Sequence, residues 1–395
     1  MIAEIAIDTG ALARNASALA RLVAPAKLTA VVKANAYGHG LVECARALAP
    51  HVDKLGVYAP EEALALREAG IDATVHVFGP VAPRELDAVH AANAELTLWD
   101  RGLYARQVAS TARRRRARFA VQAKVDTGVV RLGVPCADAP AALREYASTP
   151  ELDLAGVFSH LAAAEELDSP FTHEQLARFV AATREVAPGV PRHIAATAAA
   201  MLWPETRLDA VRCGIGLYGI WPSEETRRRM NGDGLHLEPV LSWRTRIVAL
   251  HDVEPGTTVG YGRTWTATRT SRVATLPVGY AEGLPRNAGN AAHALVRGVR
   301  APLVGRVCMD MAFADVTDVR DAATGDTVTL IGRDGDEHIT AEGLAAACGT
   351  IGYEIVARLP AHVPRTYSKA SGRGAYSEAP AENSASASRK SIVPS

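Results

Sequence analysis

The sequence predicts an α/β protein in which an amino-terminal (β/α)8 barrel precedes a carboxy-terminal, mainly antiparallel β-domain. Two patterns indicate this architecture. Short apolar runs alternate with helical stretches from about residue 26 to residue 220, and from about residue 236 short strands are separated by Gly, Pro and Asp turns. We expect the barrel to span residues 8–235, the β-domain residues 236–367, and a disordered tail residues 368–395.

The barrel is predicted from eight apolar runs, at residues 28–32, 55–58, 74–78, 96–99, 119–125, 154–158, 193–195 and 210–212. Helical periodicity fills the gaps between them, for example at residues 60–69 and 171–186. Alternating units of this kind form parallel sheets, and eight of them favour a closed barrel over a doubly wound open sheet, which is the alternative.

The β-domain is predicted from a second set of segments, at residues 240–248, 258–261, 272–277, 294–296, 301–307, 312–316 and 327–331. Residues 3–7 form a further apolar run, which we expect to add a strand to this domain. Asp8 follows that run and is a typical amino-terminal cap for a helix.

Composition excludes several classes of function. The formal net charge of the 395 residues is zero, which argues against a nucleic-acid-binding protein. We find no uncharged apolar stretch of about 18 residues and no signal peptide, so we expect no membrane association. The five cysteines form no CxxC pair and the histidines have no metal-ligand spacing, which favours a reducing cytoplasm and no metal site.

Lysine usage directs attention to two positions. Only six of the 43 basic residues are lysines, so arginine serves wherever a plain positive charge suffices. A lysine amine can lose its proton and attack a carbonyl, whereas a guanidinium cannot. Lys33 and Lys124 both end apolar runs, where a solvated charge has little reason to lie. We therefore expect amine chemistry at one or both of them.

The carboxyl ends of barrel strands are where such folds place their functional residues. The residues at or near the predicted strand ends are Lys33, Asp100, Lys124, Asp126, His160, Thr197 and Arg212. The last strand leads into GIGLYG at residues 214–219, which matches G-x-G-x-x-G. Because the match follows the eighth strand, we favour a phosphate-binding loop over a dinucleotide-binding fold.

Several motifs resemble those of one family in the same order. VKANAYGHG at residues 32–40 is similar to the pyridoxal-phosphate lysine motif of alanine racemases, which are fold-type III enzymes. The other matching segments are KVDTG (124–128), RLG (131–133), FSH (158–160), VRCGI (211–215), YGRT (261–264), LPVGY (276–280), GRVCMD (305–310) and PR (364–365). The resemblance covers about residues 3–367.

The resemblance implies a pyridoxal 5'-phosphate-dependent enzyme that interconverts L-alanine and D-alanine by a two-base mechanism, for D-alanine biosynthesis and the peptidoglycan precursor pool of a bacterium. Lys33 would carry the cofactor covalently and act as one base, and Tyr261 would act on the opposite face. Arg212 would hydrogen-bond the pyridine nitrogen, and Arg131 the phenolic oxygen. His160 would lie against the ring.

Further positions match the family's phosphate site, and these are Tyr37, Thr197, Gly214, Ile215 and Tyr353. Lys124 resembles the family's carbamylated lysine, whose carbamate orients Arg131. Met309, Asp310 and Tyr280 match the substrate entrance, and Arg131 also faces the substrate. The family forms homodimers in which the partner subunit contributes the entrance residues and the second base.

Three departures from the family pattern concern the substrate range. Val129 stands where the family usually has Met, Ala196 where it has Asn, and Met311 where a polar residue is common. A racemase for another or broader set of amino acids, or an amino-acid decarboxylase of the same fold, is therefore an alternative. A non-catalytic cofactor-carrier barrel lacks the β-domain, and a dinucleotide-dependent dehydrogenase would rest on residues 214–219 alone.

Overall fold

Eight parallel strands close into a barrel in the computed structural model, which describes residues 3–186, 189–232 and 234–369. In order around the barrel they are Ala210–Cys213, Lys27–Val31, Lys54–Val57, Val75–Val77, Glu95–Leu98, Phe119–Asp126, Leu152–Phe158 and Arg192–His193. A parallel bridge between Ala196 and Arg212 joins the last strand region to the first. The closed barrel is confirmed, and each strand overlaps one of the eight predicted runs.

The α-helices surround the barrel or pack on the second domain. They are Thr9–Val23, Leu41–Leu48, Pro60–Glu68, Leu86–Ala91, Leu103–Arg115, Ala139–Ser148, Phe171–Ala182, Thr197–Leu202, Glu224–Gly232, Ala341–Ala347 and Gly352–Ala357. The predicted cap is confirmed, since the Asp8 carboxylate accepts a hydrogen bond from the Ala11 N–H at 2.9 Å. In the described part of the chain, no helix combines the length and the apolar character needed to cross a lipid bilayer.

The second domain is mainly antiparallel, as predicted, although its strands Glu4–Asp8 and Arg365–Ser368 pair in parallel. Its main sheet has the order Val299–Pro302, His293–Val296, Thr327–Asp334, Leu241–Arg246, Glu4–Asp8 and Arg365–Ser368, and Glu337–Ile339 pairs with Thr327–Asp334. A smaller sheet joins Ala249–Val253, Ser271–Leu276 and Ala312–Asp315, and a hairpin joins Thr258–Val259 to Trp265–Thr266. The predicted run at residues 3–7 forms the strand Glu4–Asp8, which pairs with Leu241–Arg246 in the main sheet.

Several boundaries differ from the predictions for local reasons. The run at 258–261 stops pairing at Val259 because Gly260 and Gly262 adopt φ angles of +73° and +72°, which turn the chain and leave Tyr261 in a short 3-10 turn. The strand predicted at 301–307 ends at Pro302. A short strand at Val134–Pro135 was not predicted. Of the predicted tail, residues 370–395 lie outside the described residues.

One buried asparagine ties the barrel to the segment that leaves it. The Asn15 amide donates to the carbonyls of Leu217 and Glu238 at 3.0 and 2.8 Å, and its oxygen accepts from the Glu238 N–H at 2.8 Å. At Gly219, a Cβ atom would lie 1.9 Å from the Glu238 oxygen, so only glycine allows this approach. The first helix therefore fixes where the chain turns toward the β-domain.

Replacing Asn15 with Leu should lower the free energy of unfolding by about 2–3 kcal/mol, because three buried backbone groups lose their partner. The measurement is urea denaturation followed by circular dichroism. Asn231→Leu, at an exposed helical asparagine, is the matched control and should change stability by less than about 0.5 kcal/mol. Equal midpoints for the two variants would contradict the role of Asn15.

Candidate active site

A cavity of about 640 Å³ lies at the carboxyl ends of the barrel strands. Lys33, His160, Thr197 and Gly214 each follow a barrel strand at this end. The cavity brings together most of the predicted site, namely Lys33, Tyr37, Lys124, Arg131, His160, Thr197, Arg212, Gly214, Ile215 and Tyr353. Tyr353 is the only one of these that comes from the β-domain, through the helix Gly352–Ala357.

The remaining predicted residues do not line this cavity. Tyr261, Tyr280, Met309 and Asp310 all lie on the β-domain, where Tyr261 is 71 % exposed and Met309 is 56 % exposed. Tyr280 and Met309 are neighbours, since the N–H groups of Tyr280 and Ala281 donate to the carbonyls of Cys308 and Met309. Within one copy of the chain, these residues therefore lie outside the lining of the cavity that holds Lys33.

Lys33 begins a tight turn of unusual handedness. The four residues from Ala34 to Tyr37 have φ angles between +53° and +55°, in the left-handed region. Each such residue other than glycine costs about 1–2 kcal/mol, so the turn needs support from its surroundings. The Asn35 side chain accepts a hydrogen bond from the Leu41 N–H at 2.9 Å, and Glu62 accepts one from the Asn35 N–H at 3.4 Å. Strain of this kind is typical of functional sites.

The two cavity lysines have weakened basicity. Burial, and then the charge of Arg131, lower the pKa of the Lys33 amine. Burial, followed by Arg131 and Arg212, lowers the pKa of Lys124 to about 8. Each amine is therefore more often neutral near pH 7 than a solvated lysine, which is the form that attacks a carbonyl or accepts a proton.

Arg212 is buried and heavily hydrogen-bonded. Its Nη1 contacts the His193 Nδ1 at 2.7 Å, and its Nη2 donates to the Ser159 carbonyl at 2.7 Å and the Ile194 carbonyl at 3.1 Å. Burial lowers the pKa of Arg212 to about 10, so the guanidinium stays charged at neutral pH. Among the described residues no hydrogen-bond partner is found for its Nε, which leaves that donor for a ligand in the cavity.

His160 is held as a neutral ring beside this guanidinium. Burial, and then the charge of Arg212, lower the pKa of His160 to about 3. Its Nδ1 lies 3.3 Å from the Arg212 Nη2. Since a guanidinium can only donate, Nδ1 is the acceptor and the ring proton lies on Nε2. His160 is therefore a neutral neighbour of a bound ring and not a cation.

A set of donors at one side of the cavity suits a phosphate group. The Gly214 N–H donates to the Thr197 Oγ1 at 3.0 Å, and a Cβ at Gly214 would lie 2.4 Å from the Tyr37 hydroxyl oxygen. Burial raises the pKa of Tyr37 to about 12, so its hydroxyl keeps its proton and donates. Residues 215–218 form a 3-10 turn and not the long helix that a dinucleotide-binding fold requires.

Two carboxylates near the predicted strand ends accept hydrogen bonds from backbone N–H groups. Asp100 accepts hydrogen bonds from the N–H groups of Tyr104 and Ala105. Asp126 Oδ1 accepts from three consecutive N–H groups, at residues 128–130, in the loop that leads to Arg131. In the described ranges, no group of three His, Cys, Asp or Glu side chains could hold a metal ion.

Sequence reasoning did not identify Glu95, Gln122 and His193, which lie inside the barrel and connect to Arg212 through hydrogen bonds. These three residues lie in or beside strands that are buried on both faces. Such strands lack the alternation of polar and apolar residues that would show which side chains point into the barrel. The signal that was available is the polar side chain itself, set among apolar neighbours.

Comparison with known proteins gives matches over nearly the whole chain. The family model described as "Alanine racemase, N-terminal domain" matches residues 7–222, and the one described as "Alanine racemase, C-terminal domain" matches residues 240–367. The alanine racemase of Symbiobacterium thermophilum is 41% identical over 368 residues, which covers 91% of this chain and 96% of the relative. That of Methanococcus maripaludis is 35% identical and covers 91% of this chain and 97% of the relative.

Solved structures agree with these matches. The alanine racemase from D-cycloserine-producing Streptomyces lavendulae superposes with a TM-score of 0.85 at 34% identity, over 93% of this chain and 97% of that chain. The alanine racemase from Bacillus anthracis, solved with bound L-Ala-P, gives a TM-score of 0.84 at 31% identity, over 93% of this chain and 95% of that one.

The lowered pKa of Lys124 predicts its labelling behaviour. In CO2-free buffer, competitive acetylation measured by mass spectrometry should show Lys124 reactivity rising through a midpoint near pH 8. Arg131→Gln should move the midpoint upward, because a neighbouring positive charge that disfavours the ammonium is lost. Arg113→Gln, which removes an exposed arginine outside the cavity, is the control. A midpoint above about 10, the value of a solvated lysine, would show that the cavity does not lower the pKa of Lys124.

Proposed function

Because the chain belongs to the alanine racemase family, we propose that Lys33 and Tyr261 are the two bases with which it interconverts L-alanine and D-alanine. The activity is alanine racemisation, and the enzyme depends on pyridoxal 5'-phosphate. The observation that carries the assignment of residues is the cavity, where a weakly basic lysine lies among cationic and hydroxyl groups on a chain that matches the family over both domains.

The cavity residues fit this cofactor. The Lys33 amine would bind the cofactor aldehyde, and the Nε of Arg212 would donate to the pyridine nitrogen. The phosphate would take hydrogen bonds from hydroxyl and backbone donors, for which we propose Tyr37, Thr197, Gly214, Ile215 and Tyr353. Arg131 would hold the phenolic oxygen. When bound, the cofactor withdraws electrons from the substrate α-carbon and makes its proton more acidic.

Racemisation needs proton removal on one face of the α-carbon and delivery on the other. We assign the Lys33 Nζ to one face, because its lowered pKa lets it accept a proton near neutral pH. We assign the Tyr261 hydroxyl to the other. Arg212 is a poor proton donor even with a pKa of about 10, so it would hydrogen-bond the cofactor ring nitrogen without giving up its proton. This arrangement should limit side reactions such as transamination.

Lys124 is proposed to carry a carbamate. A neutral amine adds to carbon dioxide and releases one proton, and the pKa of about 8 makes that form available. The added negative charge would lie close to Arg131, which lines the same cavity as Lys124 and whose charge lowers the pKa of the Lys124 amine. The carbamate would then hold the guanidinium in place for the cofactor and the substrate carboxylate.

The functional unit is proposed to be a homodimer with shared active sites. Tyr261, Tyr280 and Met309 are exposed on the β-domain of one chain and do not line its own cavity, which supports their use by a partner subunit. Tyr280, Met309 and Asp310 would line the substrate entrance. The cytoplasm is the proposed location, since all five cysteines are free.

Lys33→Arg should abolish racemisation of L-alanine and the visible absorption of the bound cofactor, because a guanidinium cannot form the covalent link. Lys27→Arg, at an exposed strand position, is the matched control and should keep both signals. Activity is measured by the appearance of D-alanine. A Lys33→Arg protein that racemises at a near-normal rate would remove the basis of the assignment.

Mixing two inactive variants tests the shared site. Lys33→Ala and Tyr261→Phe should each be nearly inactive, and subunit exchange should restore activity, since one site of a mixed dimer then carries both lesions and the other carries neither. D-alanine formation is followed after exchange in mild denaturant. Mixed dimers without activity would show that each site belongs to a single chain.

A further inference from the structure

A chain of four hydrogen-bonded side chains runs through the barrel interior from Arg212 to Glu95. Arg212 Nη1 lies 2.7 Å from His193 Nδ1, His193 Nε2 lies 3.1 Å from Gln122 Oε1, and Gln122 Nε2 lies 2.7 Å from Glu95 Oε2. All four residues are at most 6% exposed. We refer to them as the Arg212–Glu95 chain.

The direction of every hydrogen bond in this chain follows from its first member. A guanidinium has no acceptor, so His193 Nδ1 must accept, and a neutral imidazole then carries its proton on Nε2. That proton is donated to Gln122 Oε1, which leaves the Gln122 amide nitrogen to donate to Glu95. Burial, and then the charge of Arg212, hold the pKa of His193 well below its usual range, in agreement with a neutral ring.

The two ends of the chain lie at opposite ends of the barrel. Glu95 is the first residue of its strand, and its other oxygen accepts a hydrogen bond from Lys54, which is also the first residue of a strand. Arg212 lines the cavity at the carboxyl ends. The largely buried Lys54–Glu95 ion pair need not stabilise the folded state, because the cost of removing both charges from water offsets their attraction. A role in the site explains better why a carboxylate is buried here.

We propose that Glu95 is a positioning residue for Arg212, acting through Gln122 and His193. Its negative charge polarises the chain and favours the charged guanidinium in a desolvated site. The chain also commits Nη1 to the protein and restricts the orientation of the guanidinium, so that Nε would remain available as the donor to the ring nitrogen of the bound cofactor. The proposal rests on the proposed function, because that function supplies the ring nitrogen as the ligand of Arg212.

Glu95→Gln tests this role, since it removes the charge and keeps an acceptor of the same length. In the holoenzyme we expect kcat for L-alanine to fall about tenfold and KM to change less than about twofold. Glu151→Gln is the matched control, because Glu151 is an ion-paired carboxylate near the amino end of the barrel outside the chain, and it should alter neither. An unchanged kcat in Glu95→Gln overturns the proposal.

A double-mutant cycle shows whether Glu95 acts through Arg212. The dissociation constant of pyridoxal phosphate is measured for the wild type, Glu95→Gln, Arg212→Lys and the double variant, which needs no turnover. Glu95→Gln should weaken binding about fivefold in the wild type and less than about twofold beside Arg212→Lys. Equal effects in the two backgrounds would show that Glu95 acts independently and overturn the proposal.

Two further measurements keep the test decisive. The first applies if Glu95→Gln does not fold, and the second separates failure of this proposal from failure of the proposed function. If Glu95→Gln fails to fold because Lys54 loses its partner, Lys54→Met combined with Glu95→Gln removes both charges and should show the same fall in kcat. Nitrogen NMR of the unmodified enzyme should show His193 neutral, with its proton on Nε2. A proton on Nδ1 at pH 7 refutes the chain and leaves racemisation intact, whereas a well-ordered chain in a protein that does not racemise alanine refutes the proposed function.

Discussion

The mouth of the barrel gathers more basic groups than one desolvated cavity can hold in their charged forms. Lys33, Lys124, Arg131, His160 and Arg212 all line it. Burial and mutual repulsion act most on the weaker bases, so the lysines move toward neutrality and the histidine becomes neutral, while the guanidinium of Arg212 keeps its charge. The cavity thereby holds reactive neutral amines beside cations that suit an anionic ligand.

Much of this arrangement could be predicted from the sequence because its causes are local. Lys33 and Lys124 were conspicuous among so many arginines, and their place at strand ends follows from the barrel. The left-handed turn after Lys33 was not predictable from its own residues, since alanine has no preference for positive φ. It forms because Asn35 and Glu62 hold it, and Glu62 lies on another helix.

The inside of the barrel was the part that sequence patterns did not show. Gln122 faces the interior between two apolar neighbours, and His193 ends a very short strand. Their importance depends on a hydrogen-bond route that joins four strands, and this route exists only after the barrel closes. The role of Tyr261 was likewise not visible in the fold of one chain, where it is exposed and outside the cavity, and only the proposed dimer would bring it to the site.

The strand Glu4–Asp8 pairs with Leu241–Arg246 on one side and with Arg365–Ser368 on the other, so the two ends of the described chain meet in the β-domain. During synthesis the first strand leaves the ribosome long before either neighbour exists. At about 5–20 residues per second, it waits roughly 10–50 s for residue 241 and longer for residue 365. The barrel can close in that interval, but the β-domain cannot. Its assembly is therefore a late event, and the first strand must remain unpaired and free of other chains at least until residues 241–246 have been made.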